Sequence, residues 1–163
     1  MGISLLRTDE EIKGVYLRHV DMVYRICFLF LKNEADAEDM VQNTFLKFIG
    51  HDAAFKNAEH EKAWLIVTAS NLCKDFLCHW WRRRTDIESL PVQAEPAEIV
   101  VDETLQKVLN LPEKYKTAVY LHYYEGYKCK EIAVMLAKKE STIRTYLKKG
   151  RDLLRLELDG DEQ

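Results

Sequence analysis

Glycine and proline are scarce in this chain, at six and three residues of 163. With so few breakers, long helices joined by short turns are expected, and no stretch carries convincing strand alternation. Long apolar runs are also missing. The longest near the N-terminus, 26–31, is far short of the roughly 20 residues that span a bilayer. Asp9, Glu10 and Glu11 stand before it, where a signal peptide would carry its positive start, so a cytoplasmic location without membrane insertion is expected. The four cysteines, Cys27, Cys73, Cys78 and Cys129, include no C-x-x-C pair. Neither the Cys73–Cys78 spacing nor the adjacent Cys78 and His79 has the pattern of a zinc site. Reduced, mostly buried thiols are expected, with no metal and no cofactor. Without a metal cluster or a nucleophile beside a base, the chain is not expected to be an enzyme.

What is present fits a folded protein. Hydrophobic residues make up 47% and charged residues 31%, with a formal net charge of −3. The fold class expected is all-α, as two small helical domains joined by a flexible linker. Residues 9–31 form a first helix through Val15, Val23, Ile26, Cys27 and Phe30. Asn33 offers an N-cap to a second, which runs through Ile49 and stops at Gly50. Residues 51–58 read as a loop. A long helix follows, from about Glu59 to Arg84, with Trp64, Thr68, Leu72, Phe76 and Trp80 as its apolar stripe. Segment 85–101 then holds two of the three prolines, four acids and no basic residue, which reads as linker. The domains expected are 9–84 and 105–158, with 85–104 between them. Pro112 begins the next helix and Gly126 ends it.

The C-terminal segment carries the clearest pattern. Ile132, Ala133 and Leu136 share one side of a helix; Ile143, Leu147 and Leu154 share one side of the next, after a short polar turn. That spacing describes a helix-turn-helix. With Leu147 inward, the helical period turns Thr142, Thr145, Lys149 and Asp152 outward, with Arg144 and Lys148 at the flanks. Between Lys128 and Arg155 stand nine basic residues and three acidic ones. A cationic face within an acidic chain suits phosphates and base edges in a major groove.

The front half reads differently. Glu34, Asp36, Glu38 and Asp39 crowd the first turns of the second helix, where acids favour the macrodipole. The long third helix ends in His79-Trp80-Trp81-Arg82-Arg83-Arg84.

Three motifs join these halves. D-A-E-D-M-V-Q-N-T-F-L-K-F at 36–48 resembles the D-A-E-D-L-V-Q-E-T-F segment of bacterial sigma factors of the sigma-70 family. W-L-I-V-T-A-S-N-L-C-K-D-F at 64–76 is similar to the W-L-x-x-I-A-x-N-x-x-x-D-x segment after it. E-I-A-x-x-L with S-T-I-R-T-Y-L at the C-terminus resembles the last sigma domain, and a short linker alone between them matches the extracytoplasmic-function (ECF) subgroup. The resemblance implies a protein that joins core RNA polymerase, directs it to promoter DNA and assists melting. It implies that Asp36, Asp39 and Gln42, with Asn43, face the polymerase, and that Met40 and Val41 divide between interface and core. Asn71 and Asp75 would engage the minus-ten element. The loop from His51 to Asn57 would capture a flipped base, with Phe55 either stacking on it or anchoring the loop. Lys74, Arg82, Arg83 and Arg84 would hold phosphates. Thr142, Arg144, Thr145, Lys148 and Lys149 would read the minus-thirty-five element. An anti-sigma factor is a further expected partner. The alternative is a stand-alone helix-turn-helix regulator, which would dimerise on two half-sites.

The chain departs from the family pattern in places. Cys78 stands where Arg is frequent, and Asn43 replaces a common Glu. Trp80 and Trp81 stand in a usually basic stretch; Trp80 follows the apolar stripe, while Trp81 either stacks on DNA or packs. Lys128 occupies a usual Ser/Thr cap, leaving that helix weakly capped. Ala137 replaces a turn glycine and is strained if the turn needs positive φ. Tyr146 replaces a frequent Arg and either packs or meets a phosphate.

Overall fold

Thr8 starts the first helix, α1 (Asp9–Leu31), through a reciprocal capping box. Its Oγ1 accepts from the Glu11 N–H at 3.2 Å, and its own N–H donates to Glu11 Oε2 at 3.1 Å. In this computed structural model, residues 7–84 and 103–160 are described, with side chains over 7–79 and 105–155. They form seven helices and no strand. The chain divides into two compact units, Met1–Pro96 and Ala97–Gln163. No helix among the described residues is long and apolar enough to cross a membrane.

In the first unit, α1 buries Val15, Met22, Val23, Ile26, Cys27 and Leu29. It ends at Lys32, which turns left-handed at φ 51° while its N–H reaches the Phe28 carbonyl. Asn33 then caps α2 (Glu34–Ile49), its Oδ1 accepting from the Asp36 N–H at 3.0 Å. Ala37, Met40, Val41, Thr44, Phe45 and Phe48 form the buried side of α2, stepping by three and four residues. Fully burying one such large apolar side chain contributes roughly 1.5–3 kcal/mol. Gly50 ends α2 as expected, but at φ −82°, a conformation open to any residue.

The third helix, α3 (Ala58–Arg84), is capped by Asn57, whose Oδ1 accepts from the His60 N–H at 2.8 Å. Its buried seam is Leu65, Ile66, Ala69, Ser70 and Cys73. The expected stripe is displaced from this seam: Trp64, Thr68, Leu72 and Phe76 are half-buried along its flank. Trp80 lies outside the described side chains.

In the second unit, α4 (Glu103–Leu109) begins at the end of the segment read as linker. Pro112 precedes α5 (Glu113–Tyr123), which buries six consecutive residues, Lys116 to Leu121. Such all-round burial makes α5 the central helix of this unit. Its chain leaves through Gly126, the one glycine at positive φ (74°) among the described residues. Then come α6 (Cys129–Met135) and α7 (Glu140–Gly160), both packed on α5.

The thiols are less uniformly buried than expected. Cys27 and Cys73 are buried together, while Cys78 is exposed and Cys129 half-buried. A hydrogen bond with Cys73 and then burial push the Cys27 thiol far above its ordinary pKa, so it stays protonated. No group of three or more His, Cys, Asp or Glu among the described residues could hold a metal ion.

Candidate functional site

Two surfaces of opposite character emerge, one in each unit. On α2, Gln42 and Asn43 each lie three or four residues from both Asp39 and Leu46, so the four share one face, and all are exposed. Leu46 keeps 63% of its surface in solvent, so the row carries an apolar contact beside its acid and amides. Met40 and Val41 do not share this surface; both are buried on the opposite side.

Asp36 is half-buried at the start of the same helix. Burial, and then the neighbouring Asp39 charge, raise its carboxyl above the ordinary aspartate range. The folded form therefore holds this proton to higher pH than the unfolded chain does. The contribution of this one group to stability is fully present below the ordinary aspartate pKa and is lost as pH rises through the raised value. Asp36→Asn removes that loss without disturbing the Asn33 cap, which uses only the Asp36 backbone. The variant should melt above the parent at pH 7. The gap should close below about pH 4, near the unperturbed aspartate value; thermal unfolding across pH 3–7 checks it.

A second exposed row runs along α3, where Asn71, Lys74, Asp75, Cys78 and His79 share one face. Arg82, Arg83, Arg84 and Trp81 continue that helix but lie outside the described side chains. Before α3, loop 51–57 is held by aromatic packing. The Phe55 ring stacks on Phe48 at 6.0 Å and on His51 at 5.4 Å. It also meets Trp64 and His60 edge-on. Phe55 is half-buried, and these contacts tie the loop to the end of α2 and the start of α3. Asn57 at the loop's end is occupied as the α3 cap.

In the second unit, Ile143, Leu147 and Gly150 bury one side of α7. Arg144, Thr145, Lys148, Lys149, Arg151 and Asp152 are exposed on the other, while Thr142 is half-buried rather than fully outward. Arg144 is held by Glu140 at 2.6 Å, and the Thr145 hydroxyl donates to the Ser141 carbonyl at 3.0 Å. An exposed pair four residues apart contributes only about 0.3–0.5 kcal/mol, so Arg144 can exchange Glu140 for a phosphate at little cost. Tyr146 packs edge-on against Tyr115 at 5.5 Å, which favours its packing role.

The turn between α6 and α7 is tight. Ala137 adopts φ 53°, so this alanine does carry the strain that a glycine would avoid. The Lys138 N–H closes the turn onto the Ala133 carbonyl at 2.9 Å. At the other end of α6, Lys128 has no side-chain acceptor to offer as a cap. Only half of the reciprocal arrangement forms, as its N–H donates to Glu131 Oε1 at 3.1 Å.

Residues 15–85 match the family model for sigma-70 region 2, and residues 102–154 that for sigma-70, region 4. The RNA polymerase sigma factor SigV of Bacillus subtilis is 29% identical over 147 residues, spanning 88% of this chain and 89% of that protein. The ECF RNA polymerase sigma factor SigW of the same organism is 28% identical over 159 residues, spanning 85% and 83%. The chain belongs to the sigma-70 family, in its extracytoplasmic-function group.

Other relatives agree with this family. ECF sigma factor SigE of Mycolicibacterium smegmatis is 32% identical over 151 residues, spanning 85% of this chain and 58% of that protein. The fold is shared with the sigma factor RpoE of Bartonella quintana, solved in complex with the anti-sigma factor NepR. That likeness has a TM-score of 0.76 at 19% identity and covers 92% of this chain and 98% of that one. On this sigma factor, sequence reasoning missed the apolar Leu46 beside the acidic row and the ring cluster under the loop. The spacing His51, Phe55, His60, Trp64 was the available signal for that cluster.

Proposed function

We propose that this sigma factor joins core RNA polymerase through the first unit, directs it to promoters through both units, and assists opening of the DNA. In this reading, 9–84 binds polymerase and the minus-ten element, 105–158 binds the minus-thirty-five element, and 85–104 links them. The carrying observation is the separation of exposed charge: acid and amide on α2, cation on α7. A row whose charge comes from Asp39, with Asp36 at its edge, is disfavoured against DNA and favoured on a basic protein surface, whereas the α7 face has the opposite preference.

Asp39, Gln42 and Asn43, with Asp36 at the edge, form the polymerase contact. Asn71, Lys74 and Asp75 on α3 continue into Arg82, Arg83 and Arg84 as the minus-ten surface, and Phe55 shapes the adjoining loop. Arg144, Thr145, Lys148 and Lys149, flanked by Thr142, form the minus-thirty-five surface. The protein acts by binding rather than by catalysis. An anti-sigma factor that covers one of these surfaces is the partner expected to hold it inactive.

Run-off transcription with purified core polymerase and a promoter library tests the reading. Sequence-specific transcripts should appear only when both core and this chain are present; their absence would refute it. Within the same system, Lys149→Ala should weaken promoter binding across sequences and lower the salt slope by about 0.9, the loss of one phosphate contact. A changed sequence preference at an unchanged slope would make Lys149 a base reader.

A further inference from the structure

We infer that Arg7 is a positioning residue for promoter opening, because it holds loop 51–57 in a preformed shape; this rests on the promoter-binding reading above. Arg7 lies before α1 and outside the 15–85 region match, yet its side chain reaches across to the end of α2. Nη1 donates to the Phe48 carbonyl at 3.0 Å and to the His51 carbonyl, and Nη2 donates to the Ala53 carbonyl at 3.0 Å. The guanidinium also lies 4.4 Å over the Phe48 ring and 5.4 Å from the Phe55 ring centre.

Each contact has a physical reason. Phe48 is in the last turn of α2, where carbonyls point outward and the helix dipole is negative, so a cation is favoured. The loop that follows has no regular backbone pairing to satisfy the carbonyls of His51 and Ala53. A planar fork of donors serves several carbonyls at once and stacks on rings; a lysine ammonium lacks that shape. The same side chain lines a cavity of about 700 Å³ between the start of α1 and the loop, with Glu11, Arg18, Ala53, Phe55 and Asn57. A loop ordered in advance does not lose its freedom when a DNA strand arrives, so binding is tighter.

The test uses the full chain, free and in holoenzyme, with Arg7→Ala and Arg7→Lys. Lys56 is exposed within the loop, so trypsin cleavage after it reports loop order without any polymerase. Both variants should be cut about tenfold faster there, as local ordering worth one such factor is lost. In holoenzyme, permanganate reactivity of promoter thymines should fall about tenfold, while affinity for core polymerase stays within about twofold. Unchanged cleavage after Lys56 in Arg7→Ala overturns the positioning role, whatever the parent chain does. So does a parallel loss of core affinity and melting temperature, which would make Arg7 a support of the whole unit. A parent holoenzyme that opens no promoter instead refutes the promoter reading itself, a separate failure.

Discussion

Asp39→Arg should abolish association with core polymerase while the chain stays folded, if Asp39 makes the polymerase contact proposed above. Asp39 is exposed on α2, and its side chain makes no hydrogen bond or ion pair among the described residues that its replacement would break. Surface changes of this kind usually move stability by no more than about 0.5 kcal/mol. Here the expected sign is slightly favourable, because the Asp39 charge is one of the two causes that raise the neighbouring Asp36 carboxyl. The effect on docking is far larger. On the proposed docking surface a charge reversal would set like charges against each other, at a cost of several kcal/mol, a hundredfold or more in affinity. Co-elution with core polymerase, paired with thermal unfolding of the free chain, separates the two effects. Unchanged binding would remove Asp39 from the interface.

Gly150→Ala should destabilise the second unit despite the better helix propensity of alanine. A Cβ at Gly150 would stand 2.5 Å from Val119 Cγ2, with the Tyr115 Cβ at 3.7 Å. Val119 is fully buried and β-branched, so it has little freedom to turn aside. Overpacking of this kind costs about 1–3 kcal/mol, against about 1 kcal/mol gained by replacing a helical glycine. Strain outweighs propensity across most of that range. A net loss near 1 kcal/mol would lower the melting temperature of a unit this small by about 4–8 °C. Gly14→Ala is the control, since its added carbon would meet only the Arg18 guanidinium at 3.5 Å. That variant should gain stability by up to about 1 kcal/mol. A Gly150→Ala chain as stable as the parent would mean that α5 and α7 separate more easily than their packing implies.

Features set by neighbours along the chain were legible in the sequence. The all-helical class, the span of α1, the Asn33 cap and the outward Thr145 and Lys149 all follow from periodicity and capping chemistry. The strain at Ala137 is expected only on the condition, taken from the family resemblance, that its turn needs positive φ; at φ 53° that condition is met. The α3 stripe was misplaced for a geometric reason. A four-residue step advances about 40° beyond a full turn, so a stripe from Trp64 to Trp80 drifts about 160° around the helix. The actual seam corrects the drift by pairing Leu65 with Ile66 and Ala69 with Ser70.

What escaped the sequence depends on distant partners. Arg7 meets carbonyls more than forty residues away, and nothing in its surroundings marks it. Gly150 has no mark in the sequence; its role appears only when Val119 is seen beside it. Phe55 could be a stacking ring or an anchor by sequence; its four ring neighbours favour the anchor. The helix α4 is one short segment beside acidic, proline-containing sequence, too brief for its period to stand out.

In the proposed function, the Asp39 face of α2 docks to protein while the cationic face of α7 grips DNA. Size-exclusion chromatography of the chain with purified core polymerase, over a range of salt, tests this most directly. A one-to-one complex that weakens as salt rises, and that alone shifts promoter DNA with sequence preference, is expected. A chain that elutes apart from polymerase and binds a palindromic site by itself as a dimer would contradict it.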